Sequence, residues 1–303
     1  PAAVISAIGH ANVVSIWGRR MAGVRTRAVV TVHTTITSDI RNEPTWKGRA
    51  CAWAEPLALR RADAVIAVSQ GVADDLIGKL DVPGSLVRVI PNPAITPELL
   101  ESSAIRPDHP WLTAGGPPLV VAVGRLNYAK DFATLLRAFA VVRSTRPARL
   151  LILGEGEERA ALEALVRTLG VARDVQMPGF VEHPAAYVRH AQLFVLSSVI
   201  EGLPTVLIEA LAVGANIVST DCESGPREIL DGGRLGRLVP PRDPSALASA
   251  MLEAFESPSP RASVAAIARY SRDTVIEEYL RVLLALVPDL GQASVLPPVM
   301  DPS

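Results

Sequence analysis

The sequence predicts an α/β protein of two doubly wound domains facing a cleft, the first of them incomplete. Three observations predict it. Short apolar runs of strand length alternate with segments of helical periodicity along most of the 303 residues, which is the pattern of βαβ units closed by right-handed crossovers. A stretch dense in Pro, Gly and Ser, residues 90–118, interrupts that rhythm once, as a domain boundary does. Residues 194–214, FVLSSVIEGLPTVLIEALAVG, read as the end of a buried strand, a tight polar turn and a helix start in succession.

Residues 4–8 read as a strand, 11–22 as a helix and 28–32 as a strand, followed by the loop HTTITSD. A largely helical segment is expected over 43–61, a strand over 64–68, a helix over 70–79 with Ser69 as its N-cap, and a strand over 87–90. Residues 1–100 thus form a first, partial Rossmann-like domain and 101–118 a linker. The rhythm restarts with strands at 119–123, 149–153, 175–177, 193–196, 215–219 and 237–239. Helices at 131–143, 157–169, 184–190, 225–230 and 244–256 fall between and after them, so 119–271 read as a second Rossmann-like domain. SerProSerPro at 257–260 breaks the chain, 272–287 carry a last helix, and 288–303 have the composition of a disordered tail. Opening at Pro1 directly into an apolar strand suggests that a native N-terminal portion is lacking.

Net charge is −1, unevenly spread. Residues 1–61 hold nine Lys or Arg against three acids, which is +6 and leaves −7 for the remainder. Such asymmetry points to an anionic surface partner. Trp17, Arg19, Arg20, Met21, Arg25 and Arg27 cluster on and just after the first helix, so peripheral contact with an anionic membrane is expected there. A plain solvated face is the alternative. Cys51 and Cys222 describe no disulfide framework, which favours a reducing cytoplasm. No run of 18 apolar residues is present.

The chemistry lies in the turn of the 194–214 stretch. Gly202 is expected to supply a backbone conformation closed to other residues, and Pro204 to take the first helical position. With the helix starting between Leu203 and Thr205, free N–H groups from Thr205 through Val206 to Leu207 would face the crevice at the strand's carboxyl end, where anions settle. Glu201 in the loop and Glu209 on the helix would repel a phosphate unless they hold hydroxyls of the same ligand, a sugar and a ribose. Gly124 and Arg125 end another strand, and Lys130 follows after a short loop. Two cations at a carboxyl end, on the same rim, suit a diphosphate.

EGLPTVLIEALAVG resembles the Glu-x7-Glu signature of glycosyltransferase family 4, retaining enzymes of the GT-B fold. Residues 121–139, 150–159, 175–183 and 221–243 are similar to further blocks of that family, in order. The resemblance implies transfer of a hexose or N-acetylhexosamine from a nucleotide sugar to a saccharide or lipid-linked acceptor, with residues 1–100 on the acceptor side. It implies Arg125 and Lys130 on the leaving diphosphate, Glu201 orienting sugar hydroxyls, and His33 touching the donor sugar. Gly154 and Glu155, with Phe180 and Val181, would hold base and ribose. GPREIL, 225–230, is similar to members using UDP-sugars, which favours UDP. No Asp-x-Asp motif is present, so neither a metal nor a cofactor is expected, and no nucleic acid. A non-catalytic nucleotide-sugar-binding subunit and a sugar-nucleotide epimerase of the same fold are the alternatives.

Overall fold

The computed structural model describes residues 1–42, 45–112 and 115–288. Of the 288–303 tail, residues 289–303 lie outside them. The first domain is a parallel sheet in the order β1-β2-β3-β4, formed by β1 (Ala3–Ala7), β2 (Arg27–Val32), β3 (Ala64–Ala67) and β4 (Val87–Val89). β2 from Ala28 onward and β3 throughout are buried, as strands covered on both faces must be. Alternation along them separates two packings. Val30, Val32, Val65 and Ala67 share a core with Ile16 of α1 (Gly9–Met21) and with Ala58 and Leu59 of α3 (Trp46–Leu59). Val29, Ala64 and Ile66 face the other way and meet Val275 from the last helix of the chain.

Two segments differ from the sequence reading. The expected HTTITSD loop becomes α2 (Ile36–Asn42), because the buried Asp75 carboxylate accepts from the Thr37 N–H at 3.2 Å and from its hydroxyl, fixing the helix start. The stretch 90–118 carries α5 (Pro97–Ala104), capped by the Thr96 hydroxyl on the Leu99 N–H at 3.1 Å, and buries Trp111 and Leu112. The helix over 70–79 is α4 (Gln70–Asp74), capped by Ser69 and continued by a π turn, Asp75–Lys79.

The second domain has six parallel strands: β5 (Leu119–Val123), β6 (Arg149–Leu153), β7 (Val175–Gly179), β8 (Leu193–Leu196), β9 (Ile217–Thr220) and β10 (Arg237–Val239). Their order is β10-β9-β8-β5-β6-β7. The chain winds one way from β5 and the other way from β8, so the topological switch point lies between these two strands. That is where doubly wound sheets bind ligands. On one face Val120, Ala122 and Leu150 pack with Leu135 and Phe139 of α6 (Phe132–Thr145), Leu162 of α7 (Arg159–Thr168) and Met251 of α11 (Pro244–Glu256). On the other, Val121 and Phe194 pack with Val188 of α8 (Pro184–His190) and with Leu207 and Ile208 of α9 (Thr205–Ala212). Each fully buried Phe contributes about 1.5–3 kcal/mol.

α10 (Pro226–Ile229) and α12 (Val264–Ile267) are single turns. α13 (Arg272–Leu286) returns to the first domain and lays Val275, Tyr279 and Val282 on its open sheet face.

Candidate active site at the switch point

Lys130 lies seven residues past β5 and Glu201 five past β8, so the two loops leave adjacent strands at the switch point. The loops are stitched together. The Ala129 carbonyl accepts from the Val199 N–H at 2.8 Å, and the Ser197 hydroxyl donates to the Lys130 carbonyl at 2.7 Å. Lys130 Nζ therefore donates to Glu201 Oε1 at 2.5 Å, with the side chains only 18% and 11% exposed. The Ser198 hydroxyl donates to the same oxygen at 2.6 Å. Cys222 sits in the field of this pair. Burial, and then the Glu201 charge, push its thiol up to about 12.

Gly202 corrects one expectation. Its φ lies outside the left-handed region, so glycine is not there for backbone freedom. A Cβ would stand 1.9 Å from the His33 carbonyl oxygen and 3.0 Å from Thr34 Cα, so only a bare Cα lets the Glu201 loop meet the first domain. Pro204 is the N-cap and Thr205 the first helical residue. The Leu207 N–H, expected to be free, donates to the Pro204 carbonyl at 3.0 Å. Thr205 and Val206 remain the N–H groups with no partner inside the helix. Leu203 is buried beneath them.

The rim continues over β5, β6 and β7. The Gly124 N–H donates to the Leu153 carbonyl at 3.0 Å and the Gly154 N–H to the Gly179 carbonyl at 2.8 Å. Gly154 takes a φ of 144°, and a Cβ there would lie 2.0 Å from the Gly124 carbonyl. Glu155 pairs with Arg159 at 2.5 Å, and this guanidinium holds its carboxyl below the usual carboxylate range. Phe180 is 83% exposed at the rim, a face open to stacking, and Val181 lines a separate cavity with Ile105 and Tyr187.

Convergence of Arg125, Lys130, Glu201 and Glu209 is realised directly for the central pair. Arg125 has a different partner. It is 71% exposed and paired with Glu157 at 3.1 Å, because Glu157 lies in the adjoining β6–α7 loop. Glu209 sits in the second turn of α9, where desolvation raises its pKa. His33 is exposed on one side. On the other, its Nε2 lies 3.0 Å from the Thr31 hydroxyl, and crowding by protein atoms lowers its pKa. A larger cavity of about 930 Å³ lies elsewhere, beside Arg146 and Arg237. Those arginines are matched by Glu256 and Glu253, so it presents no charge for an anion.

Sequence reasoning missed three groups at the seam between the domains: Ser69 as more than a cap, Ser224, and Glu228. Ser69 and Ser224 both donate to the Gly202 carbonyl, at 2.9 and 2.8 Å. Glu228 accepts from the Gln70 N–H at 2.8 Å and from Arg269 at 2.9 Å. Glu228 lies in the GPREIL block and Ser224 directly before it, and only the fold reveals that this stretch meets the first domain.

The family model for glycosyl transferases group 1 matches residues 117–257, and that for the glycosyl transferase 4-like domain matches residues 1–93. Both halves are glycosyltransferase-family domains, and the fold is GT-B. This glycosyltransferase-family chain is 31% identical over 220 residues to the Campylobacter jejuni N-acetylgalactosamine-N,N'-diacetylbacillosaminyl-diphospho-undecaprenol 4-alpha-N-acetylgalactosaminyltransferase, covering 73% of this chain and 58% of that protein. It is 29% identical to the lipopolysaccharide core biosynthesis glycosyltransferase LpsE of Rhizobium meliloti, over 74% of this chain and 65% of the relative. The chain thus spans about six-tenths of the length of these two relatives. Among solved structures, Anabaena Alr3699/HepE in complex with UDP and glucose superposes with a TM-score of 0.76 at 20% identity, over 94% of this chain and 78% of that one. The lipopolysaccharide outer core galactosyltransferase WaaB in its apo form gives 0.71 at 21% identity, over 94% and 75%.

Proposed function

We propose that the chain carries the donor site of a retaining glycosyltransferase that moves a hexose or N-acetylhexosamine from a nucleotide sugar, UDP-sugar favoured, to a saccharide or lipid-linked acceptor. The observation that carries this reading is the Lys130–Glu201 pair at the switch point, beside the first N–H groups of α9. Departure of a nucleoside diphosphate builds negative charge that fixed donors stabilise. Lys130 and the Thr205 and Val206 N–H groups supply such donors without a metal. Glu201, held by Lys130 and Ser198, is oriented to accept from sugar hydroxyls. A neutral His33 suits hydrogen bonding to an uncharged sugar. Glu209 is the ribose acceptor in this reading, and the edge at exposed Phe180 and half-buried Val181 takes the base. The Anabaena structure's UDP and the lipid-linked acceptor in the Campylobacter relative's name support the donor and acceptor classes.

Peripheral attachment to an anionic membrane belongs to the same reading, through α3 as well as the expected α1 cluster, where Arg20, Met21 and Arg25 are exposed. Arg19 on α1 is bound by Asp63 and by the Thr26 and Arg61 carbonyls, and Arg61 covers Trp17. α3 presents Trp46 and Trp53, 76% and 71% exposed, seven residues apart on one stripe with Arg49. An aromatic and cationic stripe suits a membrane interface.

The test is thermal stabilisation by UDP against GDP and ADP, followed by transfer from a panel of UDP-sugars. A ligand that binds the folded state alone raises its Tm. UDP is expected to stabilise most, and Lys130→Ala to slow transfer by about 10²–10³-fold. Stabilisation by none of the three, or unchanged turnover in the variant, overturns the reading.

A further inference from the structure

Two cavities of about 370 and 340 Å³ adjoin on the side of the stitched loops reached from α2, and they share Tyr128, Val199 and Arg242. The second is walled by both domains: Ser38 and Arg41 belong to α2, while Tyr128, Ile200 and Arg242 belong to the second domain. Ile200 directly precedes Glu201, and Tyr128 lies two residues before Lys130. The sign of the lining is positive. Its carboxylates are occupied: Asp131 caps α6, accepting from the Thr134 N–H at 3.2 Å and its hydroxyl at 2.7 Å, and Glu223 is paired with Lys79. Arg41, Arg137 and Arg242 therefore set the potential.

Arg242 is held in an unusual way. Its φ is 61°, a left-handed conformation that costs a non-glycine residue about 1 kcal/mol or more. Its guanidinium lies 5.4 Å from the centroid of the Tyr128 ring and donates to the Tyr128 hydroxyl. Arg242 is exposed, so the Tyr128 contact rather than core packing sets where its guanidinium lies.

We propose that these cavities form a second oxyanion site, for an acidic group of the acceptor, with Arg242 and Arg41 as the binding cations and Tyr128 orienting Arg242. The proposal rests on the transferase reading. A donor diphosphate at Lys130 and the start of α9 leaves the other reactant to enter from the first domain's side, and in this cavity that domain's Arg41 shares a wall with Ile200, the residue before Glu201. A volume near 340 Å³ accommodates a small sugar bearing a phosphate or a carboxylate.

The test uses the full chain saturated with UDP, titrated calorimetrically with inorganic pyrophosphate in one arm and glucuronate in the other. Binding of either is expected, and the tighter one assigns phosphate or carboxylate chemistry. Arg242→Gly relieves the left-handed strain, so folding is retained, while binding is expected to weaken about tenfold or more. Arg41→Ala should add to the loss, and UDP affinity should not change in either variant. Binding of neither probe, or equal binding by the Arg41→Ala, Arg242→Gly double variant, overturns the proposal. If UDP itself fails to bind, the transferase reading falls. The same titration without UDP still tests the site, since pyrophosphate binding indifferent to Arg242→Gly overturns it.

Discussion

The Ser69 hydroxyl, at the start of α4 in the first domain, donates a 2.9 Å hydrogen bond to the Gly202 carbonyl in the second. The Ser224 hydroxyl reaches the same carbonyl at 2.8 Å and stands 2.8 Å from Ser69 Oγ. Two hydroxyl protons serve three contacts, so one contact is always without its proton. All three atoms are buried, and the residue they hold follows Glu201 directly. Contact between the domains and the placing of Glu201 are thus one structural fact.

Ser69→Ala removes both the α4 cap on the Val72 N–H and the bond between domains. The Gly202 carbonyl keeps Ser224, so no acceptor is orphaned. A loss of about 1–2 kcal/mol is expected, read as a lowered Tm. Ser224→Ala should cost less, because it caps no helix.

Gly202→Ala places a Cβ where the His33 carbonyl stands, and backbone on both sides cannot yield cheaply. The loop or the domain contact must shift by about 1 Å, enough to cost roughly 10²-fold in rate. UDP affinity should fall far less, since α9 and β5–β7 are untouched. A transfer assay beside a UDP titration separates the two effects.

Desolvation raises the Glu209 pKa. Its folded value then exceeds the unfolded one, so this group's contribution to stability is full below the unfolded pKa and is lost as pH rises through the folded pKa. Nucleotide binding runs the other way, because ribose hydroxyls donate to the ionised carboxylate. UDP affinity is expected to fall as pH drops through the raised pKa. Glu209→Gln should bind more weakly and lose this component of the pH dependence, measured by calorimetry beside the wild type. A pH profile shared by the two proteins removes Glu209 from the ribose site.

Trp53→Ala is expected to weaken binding to vesicles rich in anionic lipid by about tenfold, and Trp46→Ala to act in the same direction. Added salt should weaken the wild type as well, since exposed cations are screened. Cosedimentation reads both. Binding equal in the wild type and the double variant would move the membrane contact off α3.

Much of this protein was legible in its residues. Short apolar runs fixed the strands, since a sheet covered on both faces needs them, and the spacing of Glu201 and Glu209 marked the loop and helix that matter. Ser69 was identifiable as a cap because capping is local. What local pattern cannot carry is contact between distant segments. HTTITSD read as a loop because the Asp75 carboxylate that turns it into a helix lies further along the chain, and Gly202 read as a turn residue because the His33 carbonyl opposite it is 169 residues away. Arg125 and Lys130 look equivalent in sequence. The fold sends one to Glu157 and the other to Glu201, because ion pairs form with whichever opposite charge the backbone brings within reach.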